Sequence, residues 1–158
     1  MSLSLALRFE IEDLLHEYAA VLDAADLDRW PEFFTEDCFY EVIPRENYDR
    51  GLPLALIRCE SKGMLKDRVH AIRDTMMYEQ RYLRHLISGI RVMAQSDDDI
   101  SVEAHYAVFE TLVDAPTRIF NVGRYLSRVV YEEKRLKFAE MHCVFDSLLV
   151  PNSLIYPI

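Results

Sequence analysis

No run of lysine and arginine occurs anywhere in the 158 residues, and the formal net charge is −9. Such a chain repels a phosphate backbone, so nucleic acid is not an expected partner. No apolar stretch approaches the roughly 20 residues that a membrane helix needs. Arg8, Glu10, Glu12 and Asp13 follow the start too closely for the apolar core of a signal peptide. Cysteine is sparse: Cys38, Cys59 and Cys143 are odd in number, widely spaced and without a CxxC pair. That excludes a disulfide framework and predicts buried thiols in a reducing compartment. A bias toward disorder is also missing, since hydrophobic residues make up 51% and charged residues 28%. The expectation is a cytoplasmic globular protein with a single domain over residues 1–158.

What is present is two kinds of periodicity in succession. Leu3, Leu7, Ile11, Leu14, Leu15, Tyr18 and Leu22 recur at helical spacing with charged residues between them, predicting a long amphipathic helix. Leu27, Trp30, Phe33 and Phe34 suit a second, short helix with Pro31 in its first turn. Residues 38–43 read as a strand stopped at Pro44, and residues 45–53 as a polar loop. Residues 54–59 read as a short strand. Ser61 is placed to cap a helix over about residues 64–75, and residues 77–83 are ambiguous.

Beyond that point the period becomes two. Residues 85–93, 100–113, 120–131 and 136–149 are rich in Val, Ile, Tyr and Phe and read as four strands. Their links are short polar turns, which make antiparallel hairpins, because a parallel return needs a crossover of a dozen or more residues. The expected fold is α+β: a curved antiparallel sheet covered by N-terminal helices, a two-layer cone with an apolar interior. The meander is apolar on both faces, so its outer face is expected to be buried by oligomerisation. Residues 148–150 and 154–158 are almost free of charge and are expected to dock, either in this chain's core or in a neighbour.

Two histidines stand out. His85 opens the strand Tyr82-Leu-Arg-His-Leu-Ile-Ser-Gly-Ile-Arg-Val92, and His105 lies partway along the next. His85 fits a buried imidazole bonded to a carboxylate such as Asp23, tying sheet to helix. His105 shares a face with Glu103, Ala107 and Phe109, which suggests pocket lining rather than solvent surface. Tyr18, Asp23, Tyr40, His85, His105, Phe109 and Tyr125 are the candidate lining of a cavity, although aromatics in a meander are more often core. No metal centre is expected. Adjacent His142 and Cys143 point to opposite faces of a strand and cannot chelate one ion. His85, His105 and Glu103 would make a facial triad only in a favourable strand register.

Four segments carry a family likeness: Leu22-Asp-Ala-Ala-Asp-Leu-Asp-Arg-Trp30 with Phe33-Phe-Thr-Glu-Asp37; Arg84-His-Leu-Ile-Ser-Gly-Ile-Arg-Val92; Gly123-Arg124; and Val144-Phe-Asp-Ser-Leu-Leu-Val-Pro-Asn152. In them the chain resembles the NTF2-like, cystatin-type cone. Within that group it resembles the small (beta) subunit of Rieske-type aromatic-ring-hydroxylating dioxygenases. The resemblance implies a subunit with no catalytic residues and no cofactor of its own, forming a homotrimer and supporting a catalytic alpha subunit in a hexamer. The Rieske 2Fe-2S cluster and the mononuclear iron would belong to that alpha subunit.

The chain also resembles scytalone dehydratase, another NTF2-like cone, through Asp23, His85 and His105. That likeness implies a stand-alone dehydratase or isomerase. His85, held by Asp23, would be the general acid–base, and His105 or Tyr40 would polarise a carbonyl. Leu22 stands where that enzyme's tyrosine is expected. A small-ligand binding module without turnover is the third reading.

Overall fold

The computed structural model describes residues 3–75, 80–147 and 154–158, except for the side chain of Thr75. Helix α1, Leu5–Asp23, starts at Ser4, whose Oγ accepts from the Leu7 amide at 3.1 Å. One stripe of it is buried, including Leu7, Ile11, Leu14, Leu15, Tyr18 and Leu22, as its periodicity predicts. Ala25 takes a left-handed φ of 56° and turns the chain away from the helix. The aromatic cluster after it forms a 3₁₀ turn, Trp30–Phe33, that seats Trp30 in the core.

Strand β1, Phe34–Pro44, is longer than the sequence suggests. The polar stretch that follows is not wholly loop, because Arg45–Asp49 forms a short helix, α2. Exposed pairs one turn apart support it, Arg45 with Asp49 and Glu46 with Arg50. Strand β2 is only Ile57–Cys59. Helix α3, Lys62–Thr75, begins two residues earlier than expected, and Ser61 Oγ accepts from the Met64 amide at 3.2 Å as a cap. Of the ambiguous segment, residues 77–79 lie outside the described residues, while Arg81 and Tyr82 open strand β3, Arg81–Gln95.

Strands β4, Ile100–Leu112, β5, Arg118–Glu132, and β6, Arg135–Phe145, complete a six-stranded sheet. The expected extension of β6 to residues 148–149 falls outside the described residues. The strand order is β2-β1-β6-β5-β4-β3, and β3 to β6 form the expected antiparallel meander. One pair departs from the antiparallel pattern: β1 runs parallel to β6, with Tyr40 opposite Met141 and Val42 opposite Cys143. A pairing between segments about a hundred residues apart is invisible to reasoning from short links. The β5–β6 turn has Glu133 and Lys134 both at positive φ, the geometry of a tight two-residue hairpin.

The sheet's inner face packs on α1 and α3. Val102, Ala104, Tyr106 and Val108 of β4, Tyr125 and Val129 of β5, and Phe138, Met141 and Cys143 of β6 meet Leu15, Tyr18, Leu22 and Leu65. Residues 154–158 return to this core, with Leu154 and Ile158 buried. The apolar tail thus docks in its own chain. The fold is the expected α+β cone, with a curved sheet that stays open at β2 and β3.

Candidate functional site

The interior of the cone is organised around the hydroxyl of Tyr18. Its ring meets Phe33, Tyr125 and Phe138 edge to face, with centroids 5.6 to 6.1 Å apart. Tyr40 packs beside it against Trp30 at 5.1 Å, and Tyr125 stacks on Tyr106 at 4.4 Å. Three donors from three elements converge on one atom, the main-chain oxygen of Ile158. They are Tyr18 from α1 at 2.7 Å, Tyr40 from β1 at 3.0 Å and the Cys143 thiol from β6 at 3.4 Å. The Tyr40 hydroxyl also accepts from the Ile158 amide at 3.0 Å. Burial pushes the hydroxyls of Tyr18, Tyr40 and Tyr125 and the Cys143 thiol well above their ordinary pKa. All four are therefore protonated donors at neutral pH.

At the edge of this interior, α1 meets β3. Both carboxylate oxygens of Asp23 accept from the His85 amide at 3.0 Å, and His85 Nδ1 lies 2.6 Å from Oδ1. A carboxylate only accepts, so Nδ1 carries the proton. The imidazole is fully buried, and among the described residues its Nε2 has no partner. Asp23 closes α1 and caps an amide on the free side of an edge strand, which explains the geometry without chemistry.

His105 lies elsewhere. Its side chain is 57% exposed on the opposite face of the sheet, paired in register with Ser88. Gly89 carries a positive φ of 61° at a bulge in β3, and a Cβ there would lie 2.9 Å from the His105 ring. Around His105, a shallow groove of about 690 Å³ is lined by Arg45, Glu103, Arg124 and Asp146 among others. Phe109 shares that outer side, because the inward set of β4 is Val102, Ala104, Tyr106 and Val108. Of the seven candidate lining residues, Tyr18, Tyr40 and Tyr125 come together inside, Asp23 and His85 join at the rim, and His105 and Phe109 are on the other face. His85 and His105 therefore do not share a pocket, as a two-histidine acid–base mechanism needs.

Three polar sites were not legible as sites in the sequence. Glu110 is fully buried on β4 between Arg118 at 2.6 Å and Arg81 at 2.9 Å. Its inward parity in β4 was the available signal. Glu41 bonds His142 Nδ1 at 2.6 Å across the parallel β1–β6 pair. Inside the cone, Tyr106 donates to Asn121 at 2.7 Å.

The donor set does not suit an iron centre. Cys143 turns inward to Ile158 while its neighbour His142 turns outward to Glu41. Cys38 and Cys59 are separate buried thiols. A Rieske cluster needs two cysteines and two histidines converging, and these residues do not fit it. Among the described residues no group of three His, Cys, Asp or Glu side chains is placed to hold a metal. No helix among them is long and apolar enough to cross a membrane.

Against known proteins, the family model described as "Ring hydroxylating beta subunit" matches residues 17–152. The chain belongs to the ring-hydroxylating beta subunit family. It is 38% identical over 150 residues to the anthranilate 1,2-dioxygenase small subunit of Burkholderia cepacia, covering 95% of this chain and 93% of that one. A crystal structure of the beta subunit of a candidate aromatic-ring-hydroxylating dioxygenase from Novosphingobium aromaticivorans superimposes with a TM-score of 0.89. That pair shares 38% identity and covers 97% of both chains. A candidate scytalone dehydratase from the same organism gives a TM-score of 0.72 at 18% identity, over 98% of this chain and 90% of that one. This second likeness is one of fold. The chain is thus a small subunit of the aromatic-ring-hydroxylating dioxygenases, on an NTF2-like cone.

Proposed function

We propose that this beta subunit is a structural partner with no reaction of its own. It supports an alpha subunit that carries the Rieske 2Fe-2S cluster and the mononuclear iron of an aromatic-ring dioxygenase. The chain itself is a single domain, assembles as a homotrimer and works in the cytoplasm. The observation that carries this reading is the near full-length match to a dioxygenase small subunit at 38% identity. The interior supports it too: where an NTF2-like enzyme would admit substrate, the cone holds residues 154–158 of its own chain. His85, the one buried imidazole at that interior, is committed to Asp23.

The test is co-expression with an iron–sulfur alpha subunit of an aromatic-ring dioxygenase. The beta subunit alone should purify colourless, sediment as a trimer and convert no aromatic substrate. The pair should form a red complex that does. His85→Ala in that complex should lower stability while leaving turnover per assembled complex unchanged. Turnover by the isolated, metal-stripped beta subunit that disappears in His85→Ala would overturn the proposal.

A further inference from the structure

Between α2 and β2 one short loop turns its leucines to solvent: Leu54 is 73% exposed, and Leu52 and Leu56 beside it are also exposed. Single exposed leucines are ordinary, but a set gathered on one projection marks an interaction site. The loop is pinned rather than free. Gly51 turns it at a φ of 66°, and the Leu52 amide donates to the Asn47 oxygen at 2.8 Å. Asn47 Nδ2 donates to the Leu54 oxygen at 2.9 Å, and the Leu56 amide to the Val42 oxygen at 2.8 Å. Docking such a preorganised loop loses little conformational entropy. The outer face of the sheet carries a matching hollow. Leu86, Ala107 and Val122 lie opposite one another in register on β3, β4 and β5, and they floor the groove of about 690 Å³ around His105. Leu86 and Val122 are exposed there, bordered by Arg45, Glu103 and Arg124. An apolar centre inside a polar, arginine-bearing rim is the anatomy of a protein–protein interface. The same row runs on toward the loop, since the Asp146 amide donates to the Val122 oxygen at 2.9 Å and Asp146 pairs with Arg45, where α2 begins. Loop and groove thus stand at one level of the sheet, on opposite flanks. In the strand order β2 is four places from β4, about 19 Å at ~4.8 Å per strand, so a chain's own loop is too distant to fill its groove.

We propose that residues 51–56 of one copy seat in the outer-face groove of the next, with Leu54 on the floor of Leu86, Ala107 and Val122. A contact between two different patches repeats head to tail, and a closed ring uses each patch once per chain. The occupant is a second copy because projection and hollow belong to the same chain, at one level and on opposite flanks, where rotation about a common axis brings them together. The proposal rests on the homotrimer reading above and supplies its two surfaces.

The experiment uses the full-length chain with Leu54→Cys combined with Val122→Cys or Ala107→Cys, oxidised mildly and run on a non-reducing denaturing gel. A covalent trimer is expected from the double variant and no cross-link from any single one, because the native Cys38, Cys59 and Cys143 are buried. Co-expressed single variants, one bearing the loop cysteine and one the groove cysteine, should give covalent dimers only, the signature of a head-to-tail contact. Leu54→Asp, at an exposed position where the fold tolerates it, should raise the trimer dissociation constant about 30-fold or more in sedimentation, as a central interface residue does. Its circular dichroism and Trp30 fluorescence should stay unchanged. A wild-type trimer whose double variants give no covalent trimer, or whose Leu54→Cys chain cross-links to itself, overturns the proposal and leaves the homotrimer reading standing. A wild-type chain that sediments as a monomer overturns both. A Leu54→Asp chain that stays trimeric but no longer captures an iron–sulfur alpha subunit assigns the loop to that subunit and overturns the proposal.

Discussion

Replacing Asp23 with alanine tests whether the His85 dyad is a structural joint. Asp23 is the last residue of α1, and its carboxylate is the acceptor for two donors of β3, the His85 amide and His85 Nδ1. Alanine leaves both donors without a protein acceptor next to a fully buried ring. Each stranded buried donor costs about 1–3 kcal/mol, so the variant should lose about 2–6 kcal/mol. Typical domain stability is about 5–15 kcal/mol, so this is a large fraction of it. Asn at the same position keeps one oxygen to accept from the amide and should lose roughly half as much. Urea unfolding reports the change directly, because the single tryptophan, Trp30, is buried against Tyr40 and its fluorescence will follow exposure. In a double-mutant cycle with His85→Ala the two losses should be strongly non-additive, since both remove the same joint. A loss below about 0.5 kcal/mol for Asp23→Ala, the range of an ordinary surface change, would refute the structural assignment.

Other perturbations follow from the same structure. Gly123→Ala should destabilise by about 3 kcal/mol or more in the same urea assay, because its Cβ would lie 2.0 Å from the Val144 oxygen and 2.7 Å from Phe145 Cα, forcing β5 from β6. Glu110→Ala removes the fully buried carboxylate that pairs with Arg81 and Arg118 and should cost about 3–5 kcal/mol, while Arg118→Ala, whose side chain is half exposed, should cost less. Alkali should weaken the fold in a defined window. Burial raises the Cys38 thiol from 9.0 to about 11, so the folded state holds its proton more tightly than the unfolded chain. That contribution is complete below pH 9 and is lost as pH rises toward 11. The buried tyrosines act in the same direction, and melting temperature measured from pH 7 to 11 should fall only beyond about 9. Cys38→Ser should shrink that fall.

The periodic parts of the structure were legible because burial on one face leaves a local imprint. Leu7, Ile11, Leu14 and Tyr18 mark α1, and alternation marks each strand of the meander. Asp23 and His85 were legible as a pair because a buried imidazole needs a partner. The face of His105 was not. Parity groups it with Ala107 and Phe109, apolar enough to suggest interior, while the opposite set of Val102, Ala104, Tyr106 and Val108 is more apolar still and takes the core. Comparing the two sets, rather than judging one alone, would have placed it. Helix α2 hid because its support is exposed ion pairs rather than an apolar stripe. That Ile158 would meet Tyr18 and Tyr40 depends on contacts more than a hundred residues apart, which leave no local imprint at all.

The register of Tyr40 against Met141 also sets a timetable. At a synthesis rate of roughly 5–20 residues per second, the ribosome releases β1 about 5–20 seconds before its neighbour β6 exists. Through that interval β1 has only the three-residue β2 to pair with, and its β6 edge stays open. The six strands can assemble only once the meander is complete, so slow folding and early aggregation should both trace to this one seam.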